Sequence, residues 1–165
     1  MPNSLTSLLK IVMLSMMISY GAPALAADFS GTWILDLSAS DSVEPLLKAR
    51  GVSMVKRKAA ASMSVTRIIS QSGNSMTVNT VTSAKNETKT YQVDGQTRTV
   101  SGDQGSADIS HRWDGEVMIT TAQSAEGTMT TRRTISADGR TLTEQLTYKG
   151  SDGSPIVVNR IYTKQ

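Results

Sequence analysis

Phe29-Ser30-Gly31-Thr32-Trp33-Ile34-Leu35-Asp36 is the stretch on which the fold turns. Trp33 and Leu35 alternate with Ile34 and Asp36, the period of two that marks a strand. The pattern then breaks over Ser38–Asp41. Asp41 and Glu44 stand three apart, the spacing of a helix start. Val43, Leu46 and Leu47 give one apolar face, and Gly51 ends it. Val52, Val55, Ala59 and Met63 form a second helical stripe beside Lys56, Arg57 and Lys58. The spacing predicts two short helices, over 41–49 and 53–62, directly after the first strand.

Beyond Met63 the helical period does not return. Val65–Ser70 reads as a strand and Ser72-Gly73-Asn74 as a turn. Met76, Val78, Thr80 and Thr82 alternate with polar neighbours, and Asn86–Val93 alternates again up to Asp94-Gly95, a hairpin signal. Further breaks fall near Gly102–Gly105 and at Asp114-Gly115, Glu126-Gly127, Asp138-Gly139 and Asp152-Gly153. Short strands at this spacing point to a sandwich or an antiparallel barrel. The count is ten, one before the helices and nine after. The helices are too short to cover a sheet face, so a ten-stranded antiparallel β-barrel with one mouth under a two-helix lid satisfies the order. Closure would also remove exposed sheet edges.

Composition agrees with an all-β domain. The 165 residues include 22 Ser and 20 Thr against 19% charged side chains, which suits half-exposed pleats and not a charged disordered tail. The chain has no Cys and one His, which excludes a disulfide scaffold, a thiol nucleophile, Cys-ligated metals and multi-His metal sites. A net charge of +3 is a weak argument for nucleic-acid binding, and no nucleic-acid-binding motif is present. At the amino end, one Lys, an apolar stretch from Ile11 to Tyr20, and Ala24-Leu25-Ala26 have the layout of a secretory signal peptide. The expectation is a leader over 1–26 and one domain over 27–165, in a bacterial periplasm or outside the cell.

The same residues resemble the intracellular fatty-acid-binding proteins within the wider lipocalin-like group. Phe29, Gly31, Trp33 and Leu35 match the family opening Phe-x-Gly-x-Trp-x-Leu. Lys48, Gly51, Val52, Arg57, Lys58 and Ala60 match its helix–turn–helix. Ile68, Ile69, Ser70 and Gly73 match the next hairpin, and Lys85, Asn86 and Glu87 a Lys-Asn-Glu step. Arg160, Tyr162 and Lys164 match the closing Arg-x-Tyr-x-Lys. From Phe29 to about Val93 only small gaps are needed, and beyond that the likeness loosens. The secretory head departs from the cytosolic members, so the chain looks like a secreted bacterial relative.

The resemblance implies a β-clam: a barrel with a water-containing cavity, the helix pair as its lid, and a carboxylate held inside by two arginines and a tyrosine. Arg160 and Tyr162 match the last-strand pair and, two apart, share a face. A guanidinium fork and a phenol suit a carboxylate. The second arginine comes from Thr130-Thr131-Arg132-Arg133-Thr134. Pairing this strand to Thr141–Tyr148 across an Ala137-Asp138-Gly139 turn sets Arg132 near Glu144 and faces Arg133 outward, although a one-residue slip exchanges the two. Leu142, Glu144 and Leu146 are the inward positions of the partner strand. The expected ligand-binding set is therefore Arg132, Arg160, Tyr162 and Glu144, with the ligand's tail among Val52, Met76, Val78 and Leu146. Ala84 stands where the family usually has an aromatic guard at the portal. Trp33 is expected to close the barrel bottom.

These residues predict binding and carriage of a small hydrophobic anionic ligand, a fatty acid or related lipid. Glu144 keeps a second reading open, in which an Arg–Glu–Tyr network fills the interior of a structural or partner-binding envelope barrel. Lys56, Arg57 and Lys58 are either a solvated helix face or a transient contact to anionic headgroups. An enzyme is not expected. His111 faces away from Ser110, no Gly-x-Ser-x-Gly is present, and neither a phosphate loop nor a metal cluster appears, so no cofactor is implied.

Overall fold

The computed structural model describes residues 26–102, 105–151 and 153–165. The expected leader therefore lies outside the described residues, apart from Ala26. The first strand, β1, runs over Gly31–Asp36. Two helices follow, α1 (Glu44–Ala49) and α2 (Met54–Ala61). Nine strands complete the chain: β2 (Val65–Ser72), β3 (Ser75–Thr82), β4 (Asn86–Gln92), β5 (Thr97–Gly102), β6 (Gly105–Asp114), β7 (Val117–Ser124), β8 (Gly127–Ile135), β9 (Thr141–Gly150) and β10 (Ile156–Lys164).

All ten strands form one antiparallel sheet in the order β4-β3-β2-β1-β10-β9-β8-β7-β6-β5. β1 bridges the first and last strands, because it pairs with both β2 and β10. The expected β-clam with a helix pair after the first strand is the fold observed. Hydrogen-bonded closure stops short, however: β4 and β5 are the two ends of the order and do not pair with each other. Both edges carry charged side chains, including Arg98 of β5, which is ion-paired to Asp94. Glu87 on β4 is ion-paired to Lys85 and Lys89, and every residue of β5 is exposed. Across this seam Tyr91 of β4 stacks on His111 of β6, ring centroids 4.2 Å apart.

The lower end of the clam is an apolar plug. Phe29, Trp33, Leu35, Ile69, Met76, Val93, Met118, Leu142 and Tyr162 form one buried cluster. Trp33 is 0% exposed. Its indole N–H donates to the Phe29 carbonyl oxygen at 2.9 Å, so burial leaves no orphaned donor. Trp33 thus closes the bottom, as expected.

The lid is thinner than its sequence suggests. α1 begins at Glu44, not Asp41, because Asp41 is clasped to β10: its backbone N–H donates to the Asn159 carbonyl, and its carboxylate accepts from the Asn159 backbone N–H at 2.8 Å. Pro45 then sits in the first turn, where its missing N–H costs nothing. Leu46 packs on Tyr148 and Val158 and is the residue that α1 buries. α2 buries none of its side chains; Val55, on the second helical stripe, is 76% exposed.

The turn between β8 and β9 decides which residues face inward. The Ser136 N–H donates to the Thr141 carbonyl oxygen at 2.9 Å, and the Gly139 N–H to that of Ser136 at 2.8 Å. Ala137, Asp138, Gly139 and Arg140 lie between that pair, with Gly139 at φ +70° and the Arg140 N–H donating to the Asp138 carboxylate at 3.0 Å. The loop is one residue longer than the Ala137-Asp138-Gly139 turn expected from sequence. Ile135 therefore opposes Leu142, and Arg133, not Arg132, opposes Glu144. One added residue reverses every side chain of β8 relative to the expectation.

Candidate functional site

Cross-strand neighbours in a sheet share a face, so the register can be followed inside the clam. Arg160 of β10 lies opposite Glu144 of β9, and Glu144 opposite Arg133 of β8. From the other side of β1, Arg67 of β2 lies opposite Trp33. Arg67, Arg133 and Glu144 meet just above the apolar plug, and Arg160 stands beside them on the same face.

Glu144 is the hub. It is 1% exposed, and its Oε1 accepts from Arg67 Nη1 and, at 2.7 Å, from Arg133 Nε. Arg133 also donates from Nη1 to the Thr120 hydroxyl at 2.9 Å. That hydroxyl lies 3.0 Å from His111 Nδ1. Arg133, Thr120 and His111 thus form one hydrogen-bonded chain. The Arg67 guanidinium lies 5.1 Å from the Tyr162 ring centroid. Arg160 is 5% exposed and donates from Nη1 to the Asp41 carbonyl oxygen at 3.0 Å.

The titration behaviour follows from this packing. Burial pushes the Glu144 carboxyl up, but the Arg67 and Arg133 guanidiniums outweigh it and hold the group below the usual range. Burial, reinforced by the Glu144 charge, raises the Tyr162 phenol to about 12. Burial and then the Arg133 charge lower His111 to about 4, so its ring is neutral at pH 7. Three guanidiniums (Arg67, Arg133, Arg160) face one carboxylate (Glu144), which leaves two positive charges without a buried counter-ion among the described side chains. Burying unpaired charge is costly, and an incoming anion relieves that cost.

Above this layer lies a cavity of about 850 Å³. Ile109, Ala122, Met129 and Tyr148 line its inner wall, and Lys85 and Lys89 of β4 stand at its mouth. The wall residues are one rung above His111 and Thr120, since Ile109 precedes His111 by two and Ala122 follows Thr120 by two, and two rungs above the charged layer, since Met129 and Tyr148 stand four residues from Arg133 and Glu144. One such step is about 7 Å along a strand. A head group on the cavity floor would therefore face Thr120 and His111 first, with the guanidiniums one rung further in.

The structure brings together Arg160, Tyr162 and Glu144 as expected from sequence. Arg132 is the correction. Its side chain is 44% exposed on the outer face, with Asp114 at 4.0 Å, and Arg133, 15% exposed, takes the inward place. Arg67 was missed altogether. Its signal was present, since Val65, Arg67 and Ile69 alternate on one side of β2, the side that carries buried Ile69. The expected tail contacts also move: Met76 and Val78 belong to the plug, and the cavity wall is built from β5–β9 instead. On α2, Lys56 and Lys58 are exposed, whereas Arg57 turns back to the Val52 carbonyl at 2.7 Å.

Asp108 accepts from the Thr99 hydroxyl at 2.7 Å and does not orient His111, so among the described residues no nucleophile–base–acid arrangement forms around the ring. Among the described residues no group of His, Asp and Glu side chains could hold a metal ion.

No family model matches the chain. Sodium/calcium exchanger regulatory protein 1 of Doryteuthis pealeii is 32% identical over 95 residues, 58% of this chain and 70% of that protein. Retinoid-binding protein 7 of Mus musculus is 36% identical over 67 residues, 41% of this chain and 48% of its own length. Among solved structures, the REP1-NXSQ fatty acid transporter superposes with a TM-score of 0.70 at 26% identity, covering 85% of this chain and 98% of the transporter. The shared sequence, the ten-stranded clam and the helix pair after β1 together place the chain in the family of fatty-acid- and retinoid-binding proteins.

Proposed function

We propose that the chain binds and carries a small hydrophobic ligand with an anionic head, of the fatty-acid class, inside the clam. The observation that carries this reading is the cationic excess of Arg160, Arg133 and Arg67 inside the clam, two rungs below the Met129 and Tyr148 wall of a cavity of about 850 Å³. A carboxylate would meet the donors of Arg160, while its tail runs up between Ile109, Ala122 and Met129. Retinoid and fatty acid binding in the names of relatives supports a lipid ligand in general. The alternative of a filled polar interior is disfavoured by the size of the cavity.

The test is calorimetric titration of hexadecanoic acid and hexadecanol into the wild type and Arg160→Leu. A charge-assisted hydrogen bond contributes about 1.5–3 kcal/mol, so the acid should weaken about ten- to a hundredfold. The alcohol should change much less. Equal losses for acid and alcohol would assign Arg160 to the frame of the barrel. No binding of either by the wild type would refute the proposal and favour a structural role.

A further inference from the structure

We propose that Glu144 is a resident counter-ion that sets the head-group selectivity of the cavity: it occupies Arg67 and Arg133 in the ligand-free chain and leaves Arg160 as the guanidinium open to an incoming carboxylate. The inference rests on the reading that an anionic lipid enters the clam.

Three observations support it. Glu144 Oε1 receives both Arg67 Nη1 and Arg133 Nε, so a carboxylate of the chain already sits where a ligand's carboxylate would be drawn. The second edge of Arg133 is committed to Thr120 at 2.9 Å. By contrast, Arg160 spends one of the five donors of a guanidinium, on the Asp41 carbonyl at 3.0 Å, although the residue is 5% exposed. Arg67 Nε, buried and without a partner, shows that Glu144 does not satisfy that guanidinium fully.

The physical consequence is competition. Any ligand carboxylate entering the layer feels the attraction of three guanidiniums and the repulsion of Glu144 at the same time. Repulsion between charges in a low-dielectric interior is strong and acts on the acid alone; a neutral alcohol of the same length is indifferent to it. Glu144 thereby narrows the preference for acids over neutral lipids, and Arg67 holds it in that position.

Glu144→Gln removes the charge and keeps the shape and an acceptor oxygen. Hexadecanoic acid should then bind at least tenfold more tightly, which corresponds to about 1.4 kcal/mol, while hexadecanol changes less than threefold. Because Gln strands two buried guanidiniums and the variant risks not folding, Arg67→Leu/Glu144→Leu provides an independent test. It removes the pair as a unit at constant net charge and frees Arg133 Nε, the donor that Glu144 occupies, for a ligand carboxylate, which a neutral alcohol cannot exploit to the same degree. The acid-to-alcohol affinity ratio should rise in that variant as well. An unchanged ratio in the folded variants, with binding retained, would overturn the proposal and leave Glu144 a structural residue. A fall in acid affinity with the alcohol unaffected would also overturn it, since Glu144 would then be positioning an arginine for the ligand. Failure of the wild type to bind either probe would instead remove the reading on which the proposal rests.

Discussion

Replacing Arg133 and Arg132 separately by Leu tests the register on which the site depends. Arg133→Leu removes a charge-assisted hydrogen bond to buried Glu144 at 2.7 Å and a bond to Thr120 at 2.9 Å. Glu144 keeps Arg67 as its partner, so the carboxylate is weakened but not stranded. The charged bond contributes about 1.5–3 kcal/mol and the bond to the hydroxyl about 1, so the expected loss is about 3 kcal/mol. Arg132→Leu removes an exposed side chain whose carboxylate partner, Asp114, is 4.0 Å away. That should cost about 0.5 kcal/mol or less. Urea unfolding followed by the fluorescence of Trp33 and Trp113 reads both. With a slope of about 2 kcal/mol per molar, Arg133→Leu should lower the midpoint by about 1.5 M and Arg132→Leu by about 0.25 M at most. A larger shift for Arg132→Leu would refute the register, and with it the charged layer.

Two further predictions follow from the same packing. His111 is the one His of the chain, so its imidazole signals can be followed by NMR without assignment ambiguity. With burial and Arg133 lowering it from 6.5 to about 4, the ring should stay neutral down to about pH 5. A base whose folded value is depressed favours folding above its unfolded value, and that contribution is lost as pH falls from about 6.5 toward 4. A titration midpoint near 6.5 in the folded chain would contradict this. Gly127 has φ +145°, and a Cβ there would fall against the Lys149 carbonyl oxygen and Gly150, whereas Gly73 at φ +56° faces open space. Gly127→Ala should therefore cost on the order of 1–3 kcal/mol and exceed Gly73→Ala, as measured by thermal unfolding; equal costs would show that β8 and β9 are not so closely apposed.

Much of the architecture is legible along the chain because its signals are local. The alternation of Trp33 and Leu35, the apolar faces after Asp41, and the Asp-Gly turns each depend on a few neighbouring residues. They are enough to place ten strands, two helices after the first, and Arg160 with Tyr162 on one inward face. The lid shows the limit of that logic. Val55 sits on an apolar helical stripe, yet it is exposed, because a stripe records periodicity and not what packs against it.

Facing in β8 depended on tertiary structure. Whether Arg132 or Arg133 points inward turns on a three- or four-residue loop at Asp138-Gly139, and both lengths are compatible with the same turn residues. Likewise Asp41 looks like a helix cap, but Asn159, 118 positions away, claims its carboxylate. The Arg67–Glu144 pair spans 77 positions and carries no sequence signal linking its two members. A period of two can say that Arg67 and Ile69 share a face. Only the order of strands around β1 brings that face opposite Glu144, where two buried charges can compensate each other.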